Sequence, residues 1–446
     1  MALFLAGVAN RVIGTLYRVL LVRTAGEEVI GIFQMTMPVY RVASTLASAG
    51  MHVAIARLSA DASGSADPEA ARRFGRVGVT LTFFTAAASA LVLFGSRGLW
   101  ANHFLTDSRT IVTLSVLPLL LVPAALCNSL RGVLQGEERL SPLAFSSFAE
   151  AISRVPIVLL LVAWLLRLGP EWAAAGIAGG LVAGEIVSLL LLLWFISRSK
   201  LKLFKQIGAP KRRERLTSFL SKNAATAGML TAVAVPLLFS GLINGILGMF
   251  NVALIPRQLL ATGVDAAEAT ILYGRLFGMA LPVLYMPMVA IHPIVQASIP
   301  AVARRIAEGR SQAVRRLLFQ CFSVTAAVAT LAVLGFSIYG EEIGRLLYGV
   351  NGLGALITPL AAAAPFAYFG HVAAGILYGL GRTGITMMNT VAGNIVRLYL
   401  IYVLVGDPNW GIVGALWAVV ADYALTAILD VTAVVILMRK SLKVRK

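Results

Sequence analysis

The sequence predicts an all-α polytopic membrane protein, with about 12 transmembrane helices in two pseudo-symmetric six-helix lobes around a central cleft. Three observations carry that prediction. The 446-residue chain is 59% hydrophobic and 13% charged, with a mean hydropathy of +0.85, whereas soluble chains carry roughly 25% charged residues. Apolar stretches of roughly 20 residues, enough to cross a hydrocarbon core about 30 Å thick, recur from end to end between short polar breaks. The second half of the chain repeats a spaced set of glycines and arginines found in the first. A soluble fold would need polar surface that so few charges do not supply.

The first apolar stretch, 2–24, contains Arg11 and Arg18 and is followed by no small-residue cleavage site, so it reads as a retained membrane helix rather than a signal peptide. The second, 33–56, carries Pro38 and Arg41. The next four fall at 76–96, 110–134, 142–166 and 172–196, the last with Gly176, Gly179 or Gly180, and Gly184 suited to close helix packing. The seventh is 223–248. The eighth, 270–300, holds Pro282, Pro287, Pro293 and Pro300, which kink a membrane helix. Stretches 316–339, 354–379, 384–405 and 411–438 complete the set. An even number of crossings puts both termini on one side.

Cytoplasmic loops retain Lys and Arg. With the N terminus inside, the inner segments hold most of the 38 basic residues, among them Arg72, Arg73 and Arg76, Arg131 and Arg139, the run 198–222, Arg304 and Arg305, Arg382, and the C-terminal cluster. The outer segments hold Arg23, Arg97, Arg109, Arg167, Arg257 and Arg345. The formal net charge of +18 therefore reports orientation in a membrane, with both termini expected on the cytoplasmic side, and not a nucleic-acid partner. The basic stretch 198–222 includes Gly208 and Pro210 and divides the chain near its middle, giving an N-terminal lobe at 1–210 and a C-terminal lobe at 211–446. Its charges anchor the chain and attract anionic membrane lipids.

The halves resemble each other. Gly132, Gly136, Arg139 and Arg154 recur 243 residues later as Gly375, Gly379, Arg382 and Arg397, and Phe33, Met35 and Pro38 recur as Phe277, Met279 and Pro282 at an offset of 244. Six helices per repeat give both copies the same orientation, so a pseudo-twofold along the membrane normal is expected.

Charges at membrane depth cost about 2.5–3.5 kcal/mol each on insertion scales, and they face a cavity or a partner. The intramembrane arginines are Arg11, Arg18, Arg41, Arg154, Arg275 and Arg397. Arg11 and Arg18 lie seven residues apart, two turns along one face, with no acid at helical spacing. Arg41 follows Pro38, and Arg275 precedes Pro282. Four guanidinium groups on helices expected to line the cleft make an anion site, and bidentate guanidinium suits a pyrophosphate. The alternative is that Arg11, Arg18 and Arg275 snorkel to the interface. Arg154 has Glu150 one turn earlier, a structural pair. Arg397 has Asn394 nearby or acids on other helices as partners. Glu185, Asp422 and Asp430 are the remaining acids at depth, placed either to bind a coupling proton or sodium ion or to neutralise arginines.

Cys127 and Cys321 lie far apart in apolar stretches, and the four histidines form no metal spacing, so neither a disulfide framework nor a metal site is expected. No phosphate-binding loop or nucleotide motif occurs, so ATP-driven transport is not expected, nor is a catalytic constellation. The expected energy source is membrane potential, H+ or Na+, with no cofactor.

The segments Asn10-Arg-Val-Ile-Gly14, Gly31-Ile-Phe-Gln-Met-Thr-Met-Pro38, Leu46-Ala-Ser-Ala-Gly50, Arg131-Gly-Val-Leu-Gln-Gly136 and Tyr273-Gly-Arg-Leu-Phe-Gly-Met-Ala-Leu-Pro282 are informative together. Over nearly its whole length the chain resembles the stage V sporulation protein B branch of the multidrug/oligosaccharidyl-lipid/polysaccharide exporter superfamily. The resemblance implies a flippase for an undecaprenyl-pyrophosphate-linked saccharide, similar to lipid II flippases, working by alternating access of two six-helix lobes; the chain is expected to function as a monomer. The resemblance also implies that Arg11, Arg41 and Arg275, and more loosely Arg18, match the essential cavity arginines of those flippases. Many members carry fourteen helices, and this chain has room for about twelve. A cation-coupled drug exporter of the same fold would instead favour unpaired acids in the cleft, and a membrane scaffold for cell-wall synthesis would need no wet cleft.

Overall fold

The computed structural model describes the backbone of residues 2–65, 67–198 and 213–443, and side chains over 12–65, 67–198, 221–306, 308–310 and 312–438. Among the described residues regular structure is helical throughout. The first lobe contains α1 (Ala2–Ala25), α2 (Glu27–Ser48), α3 (Met51–Gly64), α4 (Pro68–Leu99, extended by a π turn at Trp100–Phe104), α5 (Thr110–Val116), α6 (Pro118–Gly136), α7 (Leu140–Leu165) and α8 (Pro170–Arg198). Next come α9 (Arg213–Ala261), α10 (Ala266–Gly274), a π turn at Arg275–Ala280, α11 (Leu281–Tyr285) and α12 (Met288–Ala307). The chain ends with α13 (Ser311–Tyr348), α14 (Gly354–Gly379), α15 (Thr383–Leu400, with a π turn at Ile401–Val405) and α16 (Gly411–Lys443).

Ten helices among the described residues are long and apolar enough to cross a membrane. The 24-residue α1 and 22-residue α2 bring the total to about twelve. Exposed Leu91, Val92, Leu160 and Leu190 lie midway along these helices, where lipid is the neighbour and backbone groups are satisfied within each helix.

Three of the expected single helices are broken. The second splits at Ala49 and Gly50, both left-handed (φ 45° and 70°). A Cβ on Gly50 would lie 2.8 Å from Leu237 Cβ and 2.9 Å from the Ala234 carbonyl oxygen, so backbone angle and crowding both require glycine. Thr85 on α4 donates to the Ala47 carbonyl at 2.7 Å, satisfying an acceptor at the end of α2. The fourth splits before Pro118, which starts α6 where its missing N–H is harmless. The eighth changes to a π turn just before Pro282 and stops at Met286–Pro287. A proline cannot donate within the helix, and the π turn re-sorts the freed groups.

Packing divides the chain into units Met1–Met249 and Phe250–Lys446, so the division falls inside α9. Residues 199–212, which include the boundary expected at 210/211, lie outside the described residues. The first part of α9 belongs with the first unit because its own side chains are part of that core. Leu230 and Ala234 pack with Ile55, Leu130, Leu134 and Leu192. Gly241 and Gly245 let α9 close on Thr45 and Val42 of α2.

The repeated glycines do the same job in each unit. A Cβ on Gly132 would meet the His52 carbonyl oxygen at 2.5 Å, and one on Gly136 the Ala56 carbonyl oxygen at 2.8 Å, so α6 lies directly on α3. In the second unit Gly375 would meet Val295 at 2.3 Å and Gly379 the Ile299 carbonyl oxygen at 2.8 Å, so α14 lies directly on α12. The residues met, His52 and Ala56 against Val295 and Ile299, are themselves 243 apart. The sequence repeat is thus a repeated helix seam.

Candidate functional site

The arginines expected to bind an anion are distributed over both units. Arg11 lies in α1, and its side chain falls outside the described residues. Arg18 is exposed on α1, beside Tyr17, whose ring lies under the Arg154 guanidinium at 5.5 Å. Arg41 is exposed on α2, about 21 Å along the helix from Glu27 by helical rise, and its guanidinium has no hydrogen bond or ion pair among the described residues. Arg275 begins the π turn of the second unit and is half-buried. A strongly solvated charge held open at membrane depth needs water or an anion against it.

A second group of charges in the first unit is neutralised internally. Glu150 on α7 accepts from Arg131 at 2.8 Å and from Arg154 at 3.2 Å, and Arg131 also donates to Ser188 at 2.9 Å. The expected Glu150–Arg154 pair is present, but Arg131 corrects the sequence reading. Arg131 lies five residues before the end of α6, and its side chain joins the pair by reaching Glu150 on α7 and Ser188 on α8. The signal was available: the residue preceding Gly375 in the repeat is Ala374, so Arg131 departs from the repeat at a packed position. Glu185 on α8 borders the same cluster. Its carbonyl oxygen accepts from Cys127, while one carboxylate oxygen, Oε2, is buried without a hydrogen bond, as are Nε of Arg131 and of Arg154.

The second unit neutralises Arg397 differently. Asn394 donates to the Thr390 carbonyl, and Arg397 instead donates to Asn251 at 3.0 Å and to Asp422 at 3.3 Å. Asp422 also accepts from Thr426. Gly393 makes room, since a Cβ there would fall 2.2 Å from the Asp422 carboxylate. Asp430 accepts from Asn389 at 2.8 Å, and the hydroxyls of Tyr285 and Tyr423 are hydrogen-bonded. Arg154 and Arg397 thus each meet a carboxylate, as expected of intramembrane arginines with structural partners.

Outside the membrane spans, Arg109 bridges two elements: it donates to Asp107 and to Glu28, tying the start of α2 to the loop before α5. Hydrogen bonding to Asp107, against the opposing effect of burial and with help from Glu28, holds its proton still more tightly than usual. At the end of α6, burial pushes the Glu137 carboxyl above its ordinary range, and Arg139 and Arg72 pull it back. Among the described residues no three His, Cys, Asp or Glu side chains are grouped to hold a metal ion.

Comparison with known proteins agrees with these features. Residues 1–305 match the polysaccharide biosynthesis protein family. The chain is 29% identical over 444 residues to stage V sporulation protein B of Bacillus subtilis (strain 168), covering 100% of this chain and 84% of that protein. It is 21% identical over 422 residues to the lipid II flippase MurJ of the same organism, covering 88% and 74%. Among solved structures it resembles an inward-facing conformation of a multidrug resistance MATE family transporter of the MOP superfamily, with a TM-score of 0.76 at 15% identity over 97% of this chain and 95% of that one. Of these relatives, one is named as a flippase and the solved structure as a transporter. A multi-pass helical chain with repeated seams and intramembrane arginines, matched over more than its first half, belongs to the polysaccharide biosynthesis protein family, and its fold is like that of the solved MATE family transporter.

Proposed function

We propose that the chain is a flippase that carries a polyprenyl-pyrophosphate-linked saccharide, such as a peptidoglycan or polysaccharide precursor, across the bacterial cytoplasmic membrane by alternating access. In this reading it acts as a monomer with both termini cytoplasmic. The observation that carries the reading is Arg41: an exposed guanidinium on a membrane helix, with no protein partner among the described residues, next to a proline bend. Guanidinium engages a pyrophosphate through paired charge-assisted hydrogen bonds and stays charged at any physiological pH. Arg11 and Arg18 join Arg41 as the proposed anion contacts of the first unit, and Arg275 is the proposed anion contact of the second. The name of one Bacillus subtilis relative, the lipid II flippase MurJ, supports a lipid-linked cargo.

The fold also serves multidrug transport. A site for cationic drugs would place acids where this chain places Arg18 and Arg41. Coupling falls to acids whose charge no arginine claims by a direct ion pair. Glu150 and Asp422 each neutralise an arginine, which leaves Glu185 in the first unit and Asp430 in the second as the proposed H+ or Na+ sites.

The test is transport of a fluorescent undecaprenyl-pyrophosphate glycan in proteoliposomes. Loss of a charge-assisted contact of about 1.5–3 kcal/mol corresponds to roughly a 10- to 100-fold fall in transport for Arg41→Ala, with partial recovery in Arg41→Lys. Unchanged transport by Arg41→Ala at normal yield removes the anion site, and failure of the unsubstituted chain to bind or move any polyprenyl-pyrophosphate glycan removes the flippase reading.

A further inference from the structure

The seam between α12 and α14 carries a feature that neither the anion site nor the arginine pairs use. His292 on α12 and His371 on α14 are 79 residues apart in sequence, yet His292 Nδ1 lies 3.3 Å from His371 Nε2. The ring centroids are 5.5 Å apart and the planes differ by 17°. That centroid separation is close to the nitrogen separation plus the two ring radii, so the rings meet nitrogen to nitrogen, nearly in one plane, rather than face on face. The second nitrogen of His292 lies 3.3 Å from the side-chain amide of Gln296. This is the geometry of N–H···N sharing: one nitrogen donates and the other accepts.

The pair sits one rung along the zipper formed by Gly375 on Val295 and Gly379 on Ile299, and one turn into α12 from the break at Met286–Pro287. In the first unit the positions 243 residues earlier are Ala49 and Asn128, neither of which titrates. The second unit has therefore placed a protonatable rung where the first has a neutral one, next to the break in its eighth membrane segment.

We propose that His292 and His371 form a one-proton latch between α12 and α14, closed while the facing nitrogens share one proton and opened when a second proton binds there. With one shared proton the N–H···N bond is made, and it is charge-assisted if the pair is singly positive. With two, both nitrogens are donors, the bond is lost, and like charges face each other across the partly buried seam. The other titratable groups on the elements packed against these helices have their own engagements. Tyr368 donates to the Leu284 carbonyl, Asp422 pairs with Arg397, Asp430 with Asn389 and Tyr285 with Tyr423. Cys321 on α13 is buried, Tyr378 lies two turns beyond His371, and Arg275 opens the π turn. The latch does not depend on the identity of the cargo.

The test is amide hydrogen exchange of α12 in the full chain in nanodiscs at about pH 8 and about pH 5, spanning the range in which histidine titrates, after correction for intrinsic rates. The expected result is about tenfold faster exchange of α12 at the lower pH, with that dependence abolished in His371→Gln and in His292→Gln. Equal pH dependence in the variants, or none in the unsubstituted chain, overturns the latch. Should both variants fail to fold, nitrogen NMR of the unsubstituted chain decides: two histidines titrating independently overturn the proposal, and a coupled pair with a shared-proton signal supports it.

Discussion

Replacing Glu150 with glycine removes the carboxylate that Arg131 and Arg154 share. Their side chains are 20% and 25% exposed and that of Glu150 13%, so all three are largely withdrawn from solvent. Breaking a buried pair by removing one partner costs about 3–5 kcal/mol, and the residual exposure argues for the lower end. Glycine inside a helix adds about 1 kcal/mol. A total near 4 kcal/mol corresponds to an apparent Tm loss of roughly 8 °C for a unit of this size. The second unit shows how the loss can be repaired: there the arginine's acid, Asp422, comes from α16, and the corresponding α15 position, Gly393, is glycine. On α8, Gly184 occupies the matching place, with its virtual Cβ 3.1 Å from Arg154 Cβ. Glu150→Gly combined with Gly184→Asp should therefore recover about half of the loss, since one surface-distant pair is regained while the shared geometry is not. The assay is thermal unfolding of the purified chain in detergent followed by tryptophan fluorescence. A loss below about 1 kcal/mol for Glu150→Gly, or no recovery in the double variant while Gly184→Asp alone folds, would refute the account of Glu150 as the counter-charge.

Two further outcomes follow from the geometry. Gly132→Ala drives a methyl onto the His52 carbonyl oxygen at 2.5 Å and should destabilise by about 1–3 kcal/mol despite alanine's higher helix propensity; Gly375→Ala meets a side-chain methyl of Val295 that can shift and should lose less, while Gly248→Ala enters open space and should be neutral or gain up to about 1 kcal/mol, all read from the same unfolding curves. Because burial raises the folded-state pKa of Glu137, the favourable contribution of its protonated form is fully present below the ordinary carboxylate range and is lost as pH rises through the raised value; Glu137→Gln should therefore gain stability relative to the unsubstituted chain on going from acid to neutral pH, and a pH-independent difference in Tm would contradict it.

Much of this architecture was legible because a lipid solvent imposes one demand: about twenty apolar residues per crossing. The stretch 354–379 coincides with α14, and 384–405 differs from α15 and its π turn by one residue at the start. The breaks were not legible. Gly50 sits in an apolar run, and its left-handed backbone becomes necessary only when Leu237 and Ala234 crowd it from a helix almost two hundred residues later. The length of α9 was hidden for a related reason: its polar first turns read as linker. Of the candidate site, the residue types were readable but their pairing was not. Arg397 took Asn251 and Asp422 from distant segments rather than its neighbour Asn394. The same limit applies to His292 and His371, whose spacing of 79 residues suggests nothing until α12 lies on α14.

The exchange of acid and glycine between the two units bears on which arginines can touch a cargo. An offset of 243 aligns Arg154 with Arg397 but Glu150 with Gly393. The arginine persists in both copies, while its acid comes from its own helix in one and from the next membrane helix in the other. What the two copies share is a neutralised guanidinium at a helix contact, not a particular carboxylate. A guanidinium already paired in a buried contact would have to break that pair, exposing the acid to a like-charged pyrophosphate, before it could bind one. Arg131, Arg154 and Arg397 are therefore poorly suited to bind the cargo, and Arg41, exposed and without such a pair, is well suited. If Arg154→Gln impaired transport while leaving stability intact, and Arg41→Ala did the reverse, that division of labour would be wrong.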